Sequence, residues 1–409
     1  MHSKPRIAII GAGPAGLMLA RLLTLKSIPV TIYEREESWT ARNQGGTLDL
    51  HEASGQYALK EAGLFDQFLK YARYEDDGMA IADKTGVPLF NFQGDKNGSR
   101  PEIDRETLRR ILLASVPADC IKWDHWLDTV RPDGTLEFHC GKTAGPFDLV
   151  VGADGGRSRV RPLLTDITPF YSGVAGFEFK ISDAEARFPH ITEFIGRGNY
   201  FCFSGGNAIQ AQRLGDKSVR VYAWSRKPET FAIDLHARYP STADLKAVML
   251  QNFFADWAPA LQDWIRAADD DRRPWTLYML PVDFRWAHRR GFTLLGDAAH
   301  LITPFSGEGV NAAFLDAVEL TRSIVAHVGD GAASPETLDA AVAAYESALF
   351  RRMHGVMRET ADNLRLLFAT DAPASFVAKM QGFLNGEENK QAQVNVREEG
   401  RMNPESSRV

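Results

Sequence analysis

Two turns in this chain hold residues whose types and spacing can bind a polar ligand. The first, IIGAGPAG at 9–16, is rich in glycine, and such a turn lets backbone N–H groups approach a phosphate. The second, LLGDAAHLITPFSGEGVN at 294–311, adds the carboxylate of Asp297 and the imidazole of His300. A carboxylate can accept hydrogen bonds from hydroxyl groups. The two turns therefore predict a site for a ligand that carries phosphates and hydroxyls.

The first turn lies between a short apolar strand and an apolar pattern of helical period, and a second strand then carries Glu34. Gly11 permits the tight turn, Gly13 lets the backbone approach a pyrophosphate, and Gly16 lets the helix pack on the strand. Glu34 lies 18 positions after Gly16 (34 − 16), near the spacing of about 20 typical of an acid that binds a ribose. The pattern predicts dinucleotide binding, with a ligand-free glycine turn as the alternative. It does not separate FAD from NAD.

Three further segments carry residues suited to the same ligand. A strand in FDLVVGADGGRSRVR leads to Asp154 in a basic turn, and IDRETLRRILL starts a helix with Arg105 in its first turn. The strand GFTLLGD places Asp297 at a carboxyl end, where ligands of open α/β sheets bind. A helix then begins around Gly309 to Asn311, and its free N–H groups favour negative charge on a bound group.

The GxGxxG…E, DG and GD motifs, in this order and spacing, resemble the p-hydroxybenzoate-hydroxylase-type, or group A, FAD monooxygenases. The resemblance covers the chain to about residue 370. It implies an α/β fold: a discontinuous Rossmann-like FAD-binding domain with an inserted antiparallel β-sheet substrate domain and a C-terminal bridging helix. It also implies one extended FAD, with its adenosine end at the first turn and its far end at the second.

A closer resemblance is to the TetX-type tetracycline-inactivating flavin monooxygenases. It rests on YERE, ARNQGGTLDLH, PEIDRETLRRILL and GDAAHLITPFSGEGVN. It implies that Asp49, Arg105 and Asp297 bind FAD and that Arg42 is associated with NADPH. The predicted cofactor contacts, including an adenosine-contacting pair, are Gly11, Gly13, Pro14, Ala15, Gly16, Glu34, Arg35, Arg42, Asp49, Arg105, Asp154, Asp297, Pro304, Gly307, Gly309, Val310 and Asn311.

Several of these residues have a plainer alternative. Arg105 is alternatively a solvated arginine on a helix face, and Arg42 an ordinary loop charge. Asp154 alternatively caps the turn that follows it. Pro304 alternatively just ends the loop, although its neighbourhood lies over the flavin ring in the family. For His300 we favour a structural histidine bonded to the backbone over a catalytic base.

The middle of the chain has a different pattern. Segments 174–181, 199–206, 207–214 and 218–225 alternate with period two, which predicts an antiparallel sheet with one covered face. The segment 78–92 resembles a hairpin that joins this sheet. Such a sheet would form a roof over the isoalloxazine ring, and polar side chains on its inner face would choose the substrate.

Three polar residues of the predicted sheet are candidates for substrate contacts. Glu178, Gln210 and Arg220 align roughly with substrate-facing positions of the TetX type, where the residues are Gln, Phe and His. The fold therefore carries over better than the specificity does. Positions on a solvent face of the sheet are the alternative for all three.

A helical stripe near the C-terminus runs from Leu338 to Leu367. In the TetX type a long C-terminal helix bridges the two domains, and its end lines the pocket. The remaining predicted substrate contacts are Phe305, Asn363, Phe368 and Phe376. The segment 386–409 is polar and aperiodic, which predicts disorder.

These patterns predict a FAD-binding domain that is interrupted twice. Its three parts are predicted at 1–77, 98–170 and 281–334. The other predicted segments are a substrate-domain hairpin at 78–97, the substrate-binding sheet at 171–280, the bridging-helix region at 335–385 and the tail at 386–409.

Composition narrows the function classes. The net charge of −6 gives no field for nucleic acid or anionic membranes, and no apolar run of about 18 residues predicts a membrane span. The first strand begins at Arg6, which leaves no room for a leader peptide. Cys120, Cys140 and Cys202 fit no disulfide framework, zinc site or redox pair. We therefore expect a cytoplasmic monomer that acts on a small molecule.

The predicted function is that of an NADPH-consuming FAD monooxygenase. No second nucleotide fingerprint, metal cluster or nucleophile arrangement is recognisable, so we assign no catalytic side chain and leave the chemistry to the cofactor. FAD would bind non-covalently, NADPH would donate a hydride and leave, and O₂ would be the co-substrate, through a flavin C4a-hydroperoxide. A fused-ring phenolic or enolic substrate such as tetracycline is expected. The alternatives are a general aromatic or polyketide hydroxylase, a flavin oxidase or reductase on the same fold, or a non-catalytic nucleotide-binding protein.

Overall fold

A computed structural model describes residues 4–41, 45–92, 100–328 and 334–382. Arg42 and the predicted tail at 386–409 lie outside these described residues, so the interpretation of each stays a prediction. The domain limits given above also stay predictions.

Strands and helices occur throughout the described residues. The strands are β1 (Ile7–Ile10), β2 (Val30–Tyr33), β3 (Thr47–Asp49), β4 (Met79–Ala82), β5 (Pro88–Phe92), β6 (Glu102–Asp104), β7 (Ile121–Lys122), β8 (Leu127–Val130), β9 (Leu136–Phe138), β10 (Thr143–Ala144), β11 (Leu149–Gly152), β12 (Phe170–Ile181), β13 (Asn199–Ser204), β14 (Asn207–Arg213), β15 (Val219–Arg226), β16 (Arg272–Met279) and β17 (Phe292–Leu294). The α-helices are α1 (Pro14–Leu25), α2 (Tyr57–Glu61), α3 (Phe65–Leu69), α4 (Arg105–Ala114), α5 (Ala184–Arg187), α6 (Pro189–Ile195), α7 (Phe231–Arg238), α8 (Thr242–Phe253), α9 (Pro259–Arg266), α10 (Asp297–His300), α11 (Gly309–Val328) and α12 (Pro335–Leu367).

The first large sheet has five parallel strands in the order β17-β11-β1-β2-β7. Strands β1 and β11 are buried along their whole length, which is why they read as continuous apolar runs. β17, β11 and β1 are direct neighbours, and their carboxyl ends lead into the GD, DG and GxGxxG turns respectively. The strand order therefore brings together three motifs that are far apart in sequence.

The second large sheet has seven strands in the order β16-β12-β15-β14-β13-β4-β5. The predicted hairpin at 78–92 is present as β4 and β5 and joins this sheet beside β13. The prediction of a wholly antiparallel sheet was wrong at one pair of strands, because β4 runs parallel to β13. Alternation could not show this, since side chains alternate in the same way in both kinds of pairing. The direction of a strand relative to a distant partner depends on the path of the chain.

The two faces of the seven-stranded sheet are covered differently. Helices α5 to α9 cover one face in an apolar cluster that contains Phe177 and Trp264. These helices were not predicted from the sequence, because period-two segments dominate the pattern of this region. The other face, which we call the inner face, carries Tyr222, Trp224 and Trp275 and packs against the end of α12.

Helix α12 bridges the two large sheets. The side chain of Ser334 accepts a hydrogen bond from the backbone of Thr337, and a reciprocal bond completes a capping box that fixes the helix start. The stripe from Leu338 to Met357 packs in the core around the five-stranded sheet, while Leu367 packs on the inner face. The predicted fold class is therefore confirmed, with the parallel pair of β4 and β13 as its one correction.

Cys120, Cys140 and Cys202 are free. Among the described residues, no helix combines the length and the apolar character that crossing a membrane requires.

Candidate active site

The GxGxxG turn contains glycines that the protein itself requires. Gly11 has a φ of +106°, and a Cβ there would lie 2.5 Å from a backbone oxygen of the DG turn. A Cβ on Gly16 would lie 2.1 Å from the carbonyl oxygen of Gly11. Gly13 differs, because its Cβ position has open space within 4 Å and no side chain caps α1. Pro14 and Ala15 follow, partly exposed. The first N–H groups of α1 are thus open to a phosphate.

Glu34 and Arg109 fix the GxGxxG turn, and Arg109 was not among the residues predicted from the sequence. The buried carboxylate of Glu34 accepts hydrogen bonds from the backbone N–H groups of Ala12 at 2.6 Å and Glu36 at 3.0 Å. Arg109 is 1% exposed and donates to the Ala12 carbonyl at 3.3 Å and to the Glu36 carboxylate at 2.9 Å. The sequence feature that could have indicated Arg109 is its position one helical turn after Arg105 on α4.

Asp154, in the DG turn, leaves half of its carboxylate without a partner. Oδ2 accepts from the backbone N–H of Arg159 at 2.7 Å, so Asp154 does fix the turn, as the plainer alternative held. Oδ1 is buried and has no hydrogen-bond partner among the described residues. Burial raises the pKa of Asp154 above its usual value. Because an unpaired buried oxygen is costly, the site fits a ligand that donates a hydroxyl group here.

Asp297 begins α10 directly after β17, and its side chain is exposed. Protein atoms still surround the carboxylate closely enough that desolvation raises its pKa, although His300, Arg105 and Arg161 oppose the rise. Its carboxylate forms no hydrogen bond with the described part of the chain. Arg161, which the sequence analysis missed, is buried and donates at 2.8 to 3.2 Å to three carbonyl oxygens of the DG and GD turns. It holds the two turns together.

His300 is bonded to a carboxylate rather than to the backbone, and the predicted partner was wrong. Its Nε2 lies 2.6 Å from Oδ2 of Asp316 on α11, and both residues are buried. Asp316 also accepts from the N–H of Gly296 at 2.7 Å and from Arg352 at 2.6 Å. Burial alone would raise the pKa of Asp316, but His300 and Arg352 lower it to about 2. The charged carboxylate is the stronger acceptor, which explains the choice of partner.

Asp49 belongs to a second group of charges at the start of α11. A Cβ on Gly307, whose φ is +70°, would lie 3.2 Å from Oδ2 of Asp49. His51, which the sequence analysis did not single out, joins Asp49 through Nε2 at 2.9 Å and Glu308 through Nδ1 at 3.2 Å. Burial would lower the pKa of His51, but the two carboxylates raise it to about 9. No local pattern could have shown this group, because Glu308 comes from a distant segment.

Asn311 uses its side chain within the protein. Its Oδ1 accepts from the backbone N–H of His51 at 2.9 Å, and its Nδ2 donates to the carbonyl oxygen of Asp49 at 3.0 Å. The amide therefore ties α11 to the segment after β3, and the cofactor contact of Asn311 stays a prediction. Gly309 and Val310 are partly exposed and leave the backbone N–H groups at the start of α11 for a ligand.

The loop before β3 joins the cofactor turns to the inner face. The backbone N–H of Arg105 donates to the carbonyl oxygen of Gly46 at 3.1 Å, and a Cβ on Gly46 would lie 2.9 Å from the Tyr222 hydroxyl. We use the name cleft for the region that this loop, the three turns and the inner face border. The side chains of Arg105 and Pro304 are exposed. Arg35 is also exposed, and no described residue bonds its side chain.

The three polar residues predicted to contact substrate all lie on the inner face. The strand register places Glu178 and Gln210 on either side of Tyr222 in one row. Arg220 donates to Oε1 of Glu178 at 2.8 Å, and their side chains are 6% and 5% exposed. Trp275 donates its indole N–H to Oε2 of Glu178 at 2.9 Å. The alternative that these residues occupy a solvent face is therefore wrong.

The residues predicted to line the pocket from the second turn and the C-terminal helix also meet at the inner face. The rings of Phe305 and Phe368 lie 5.2 Å apart between centroids. Asn363 donates to the carbonyl oxygen of Phe305 at 3.0 Å. Phe376 belongs to the same apolar cluster, which also includes Tyr222. The structure thus places these side chains together, while their contacts with a substrate stay predictions.

The groups left open along the cleft fit the parts of FAD. The uncapped start of α1 suits a pyrophosphate. The unpaired Oδ1 of Asp154 and the exposed carboxylate of Asp297 suit hydroxyl groups. The start of α11 suits a ring system that gains negative charge on reduction.

Comparison with known proteins supports this fit. Residues 4–121 and 146–349 match the family described as FAD binding domain. Monooxygenase asqM of Emericella nidulans is 31% identical, over 92% of this chain and 98% of asqM. Monooxygenase penA of Penicillium thymicola is also 31% identical, over 90% of this chain and 96% of penA. Kynurenine 3-monooxygenase of Stenotrophomonas maltophilia is 28% identical, over 85% of this chain and 76% of that protein.

Solved structures show the same fold. HpxO of Klebsiella pneumoniae, complexed with FAD and uric acid, has a TM-score of 0.76 at 20% identity, over 94% of this chain and 96% of HpxO. Tetracycline destructase Tet(55) has a TM-score of 0.70 at 19% identity, over 93% of this chain and 94% of Tet(55). At these identities the likeness extends to the fold and not to tetracycline specificity. Because the family match spans most of the chain and the relatives at 31% identity are monooxygenases, this protein belongs to the FAD-dependent group A flavin monooxygenases.

Proposed function

We propose that this enzyme hydroxylates an aromatic small molecule, with NADPH as the hydride donor and O₂ as the co-substrate. The observation that carries the proposal is the position of the aromatic inner face. The Tyr222 hydroxyl reaches the loop at Gly46, whose carbonyl oxygen bonds the start of α4, so an aromatic surface adjoins the cofactor turns. Partly exposed rings of Phe201, Tyr222 and Trp275 line this surface. Aromatic side chains of this kind suit a flat, apolar ring.

The residues of the cleft would bind and orient the cofactor without a covalent link. When bound, FAD supplies the chemistry of hydride acceptance and oxygen activation. Asp154 and Asp297 would accept hydrogen bonds from its hydroxyl groups, and Glu34 with Arg109 keeps the GxGxxG turn in the shape that receives the pyrophosphate. The start of α11 would stabilise negative charge on the reduced ring. Arg42, outside the described residues, is proposed to contact NADPH.

The cleft would also keep the reaction away from water. The rings of Phe305 and Phe368 and the end of α12 cover the inner face on one side, and the sheet itself covers the other. A dry, aromatic-lined site orients the substrate ring and protects a reactive oxygen species from loss to solvent. No side chain of the cleft needs to act as a nucleophile in this scheme.

Relatives support an aromatic substrate. Kynurenine, which names the Stenotrophomonas maltophilia relative, carries an aromatic ring, and uric acid in the HpxO complex is a flat heterocycle. A fused-ring substrate such as tetracycline is the second candidate. It is favoured by the segment GGTLDLH and by the bridging helix, and it is disfavoured by the altered residues Glu178, Gln210 and Arg220.

The test is a screen for substrate-stimulated NADPH oxidation by the purified flavoprotein. The panel would hold phenols, aromatic amines, hydroxylated heterocycles and tetracycline, with product mass measured for each active compound. We expect a hit among the aromatic compounds whose product gains one oxygen atom. A product that loses two hydrogens and gains no oxygen would contradict the proposal, and turnover of tetracycline alone would favour the second candidate. Denatured protein should release its flavin into the supernatant if the binding is non-covalent.

A further inference from the structure

The inner face contains an ion pair whose two charges balance each other. Arg220 and Glu178 bond at 2.8 Å with side chains 6% and 5% exposed. The second oxygen of Glu178 accepts from the indole N–H of Trp275 at 2.9 Å. Both carboxylate oxygens are therefore engaged, and the pair has a net charge of zero. An anionic substrate placed here would be desolvated without gaining an unpaired cation.

The other polar groups of the same row are neutral, and each keeps a donor that bonds no described residue. The Oε1 atom of Gln210 accepts from the indole N–H of Trp224 at 3.1 Å, which orients the amide. The amide NH₂ of Gln210 and the hydroxyl of Tyr222 form no hydrogen bond with a described residue. Both groups can donate a hydrogen bond. Two neutral donors beside an ion pair that is neutral overall suit a neutral acceptor such as a carbonyl oxygen.

Aromatic rings define the shape of the ligand. Tyr222 and Trp224 stack with their planes 6° apart and their centroids 5.7 Å apart. Phe368 packs edge-on against Phe203 and stands 5.2 Å from Phe305. Phe305 belongs to the GD turn that also carries Asp297, so these rings extend from the sheet to the cofactor side. Stacked and edge-on rings bind flat aromatic ligands in preference to flexible chains.

Two described arginines outside the pair act on this face from its borders. Arg105, at the start of α4, and Arg273 both oppose the burial that raises the pKa of Tyr222, and Arg105 is the one predicted to bind the cofactor. Arg273 is exposed, and its guanidinium stacks on the Trp275 ring at 4.2 Å from the centroid. It sits across from Glu178 in the strand register. An anion bound by Arg273 would thus stay at the edge of the face rather than over its neutral centre.

From these contacts we infer that the substrate is an uncharged aromatic compound with a carbonyl or similar neutral acceptor on its ring. The inference rests on the proposed function and specifies its substrate class. Gln210 and Tyr222 would orient the acceptor, and the pair of Glu178 and Arg220 would exclude carboxylate analogues. Anionic substrates are disfavoured because Arg220 is already paired with Glu178 when the substrate binds.

The experiment compares matched neutral and anionic ligands on the FAD-loaded enzyme. The pairs are 4-hydroxybenzamide with 4-hydroxybenzoate and 2-aminobenzamide with 2-aminobenzoate, and binding is followed by flavin absorbance and tryptophan fluorescence without NADPH. We expect each amide to bind at least about tenfold more tightly than its acid. Equal binding, tighter binding of the acids, or binding by no member of either pair would overturn the inference.

Two variants test the cause of the preference. Glu178→Gln leaves Arg220 without its counter-charge, and we expect the ratio of amide to acid affinity to fall by about tenfold or to reverse. The double variant Glu178→Gln/Arg220→Gln restores neutrality, and it should keep a ratio near that of the wild type. A ratio unchanged in Glu178→Gln would contradict the assignment. If that single variant does not fold, the wild-type ratio and the double variant still decide the question.

The result is independent of oxygen transfer. Binding ratios are measured without a reductant, so they hold whether or not the enzyme hydroxylates its ligand. Product mass under turnover tests the proposed function separately. A neutral preference together with a non-oxygenated product would keep the inference about the ligand and reject the proposed reaction.

Discussion

The cofactor turns and the inner face differ in whether their charged side chains are paired within the protein. In the turns, Oδ1 of Asp154 has no described partner and the carboxylate of Asp297 is exposed, so polar capacity is left for a ligand. On the inner face, Glu178 and Arg220 satisfy each other. A site for a highly polar cofactor needs hydrogen-bond acceptors that have no partner within the protein. A site for an apolar ring instead pairs its charged side chains with each other. Cofactor binding should therefore depend on single polar groups, and substrate binding on shape and on the absence of net charge.

The largest expected effect concerns the carboxylate that supports the GD turn. Replacing Asp316 by Asn removes the buried carboxylate that bonds His300 and Arg352 and leaves Arg352 paired with Glu319 alone. Breaking a buried ion pair costs about 3–5 kcal/mol of unfolding free energy. Chemical denaturation of the FAD-loaded protein measures the loss. Asp234→Asn, an exposed carboxylate in the first turn of α7, is the matched control and should cost less than about 1 kcal/mol.

Acid titration sharpens the same prediction. The pKa of Asp316 in the folded protein is lowered to about 2, below the usual value of about 3.9 for an unfolded chain. A lowered folded pKa stabilises the protein above the unfolded value, and this contribution is lost as pH falls through about 4 towards 2. The Asp316→Asn variant should lack that part of the acid dependence. An identical acid profile in both proteins would show that the ion pair does not form as described.

Asp297→Ala should weaken FAD binding more than any change on the inner face does. Loss of a charge-assisted hydrogen bond costs roughly 1.5–3 kcal/mol, which is about ten- to a hundredfold in affinity. Flavin fluorescence during titration of the apoprotein measures the change. Gln210→Ala is the inner-face comparison and should leave FAD affinity close to that of the wild type. If both variants lost FAD equally, the contrast between the two regions would be wrong.

Two aromatic substitutions compare a satisfied and an open group on the inner face. Trp275→Phe removes the indole donor from the buried Glu178 carboxylate and should cost about 1–3 kcal/mol of stability. Tyr222→Phe removes a hydroxyl that bonds no described residue, so it should change stability by less than about 0.5 kcal/mol. Thermal unfolding separates the two effects. Tyr222→Phe should instead raise the KM for a neutral aromatic substrate, and the opposite ranking in stability would contradict the contacts described.

A small loss of stability is also expected at high pH. The pKa of His51 is raised to about 9 from a usual value of 6.5, because Asp49 and Glu308 favour the charged ring. A raised folded pKa stabilises the protein fully below 6.5, and the contribution disappears as pH rises through about 9. The effect should be on the order of 1 kcal/mol, since both carboxylates are partly exposed. His51→Gln should flatten the profile between these values, and an unchanged slope would exclude His51 as its source.

Local patterns in the sequence were sufficient for several elements. The GxGxxG turn, the long α12 stripe and the strands β12 to β15 follow from glycine spacing and from apolar periods of 3.6 and 2. Each of these signals lies within one continuous segment. The resemblance to group A monooxygenases then gave their order in space, which periodicity alone does not give. Helices α5 to α9 were missed because the alternation of the strands around them dominates the region, although α8 is as long as α1.

The sequence by itself therefore determined the type of the elements with a strong local period and the residues that three cofactor turns present. The tertiary structure decided which polar side chains bond to each other and are therefore not available to a ligand. Arg220 pairs with Glu178, Asn311 with the segment after β3, and His300 with α11, and each partner is distant in sequence. Whether a polar side chain stays open for a ligand depends on what the neighbouring strand or helix places within hydrogen-bond distance. That placement is set by strand register and helix packing, which no local pattern contains.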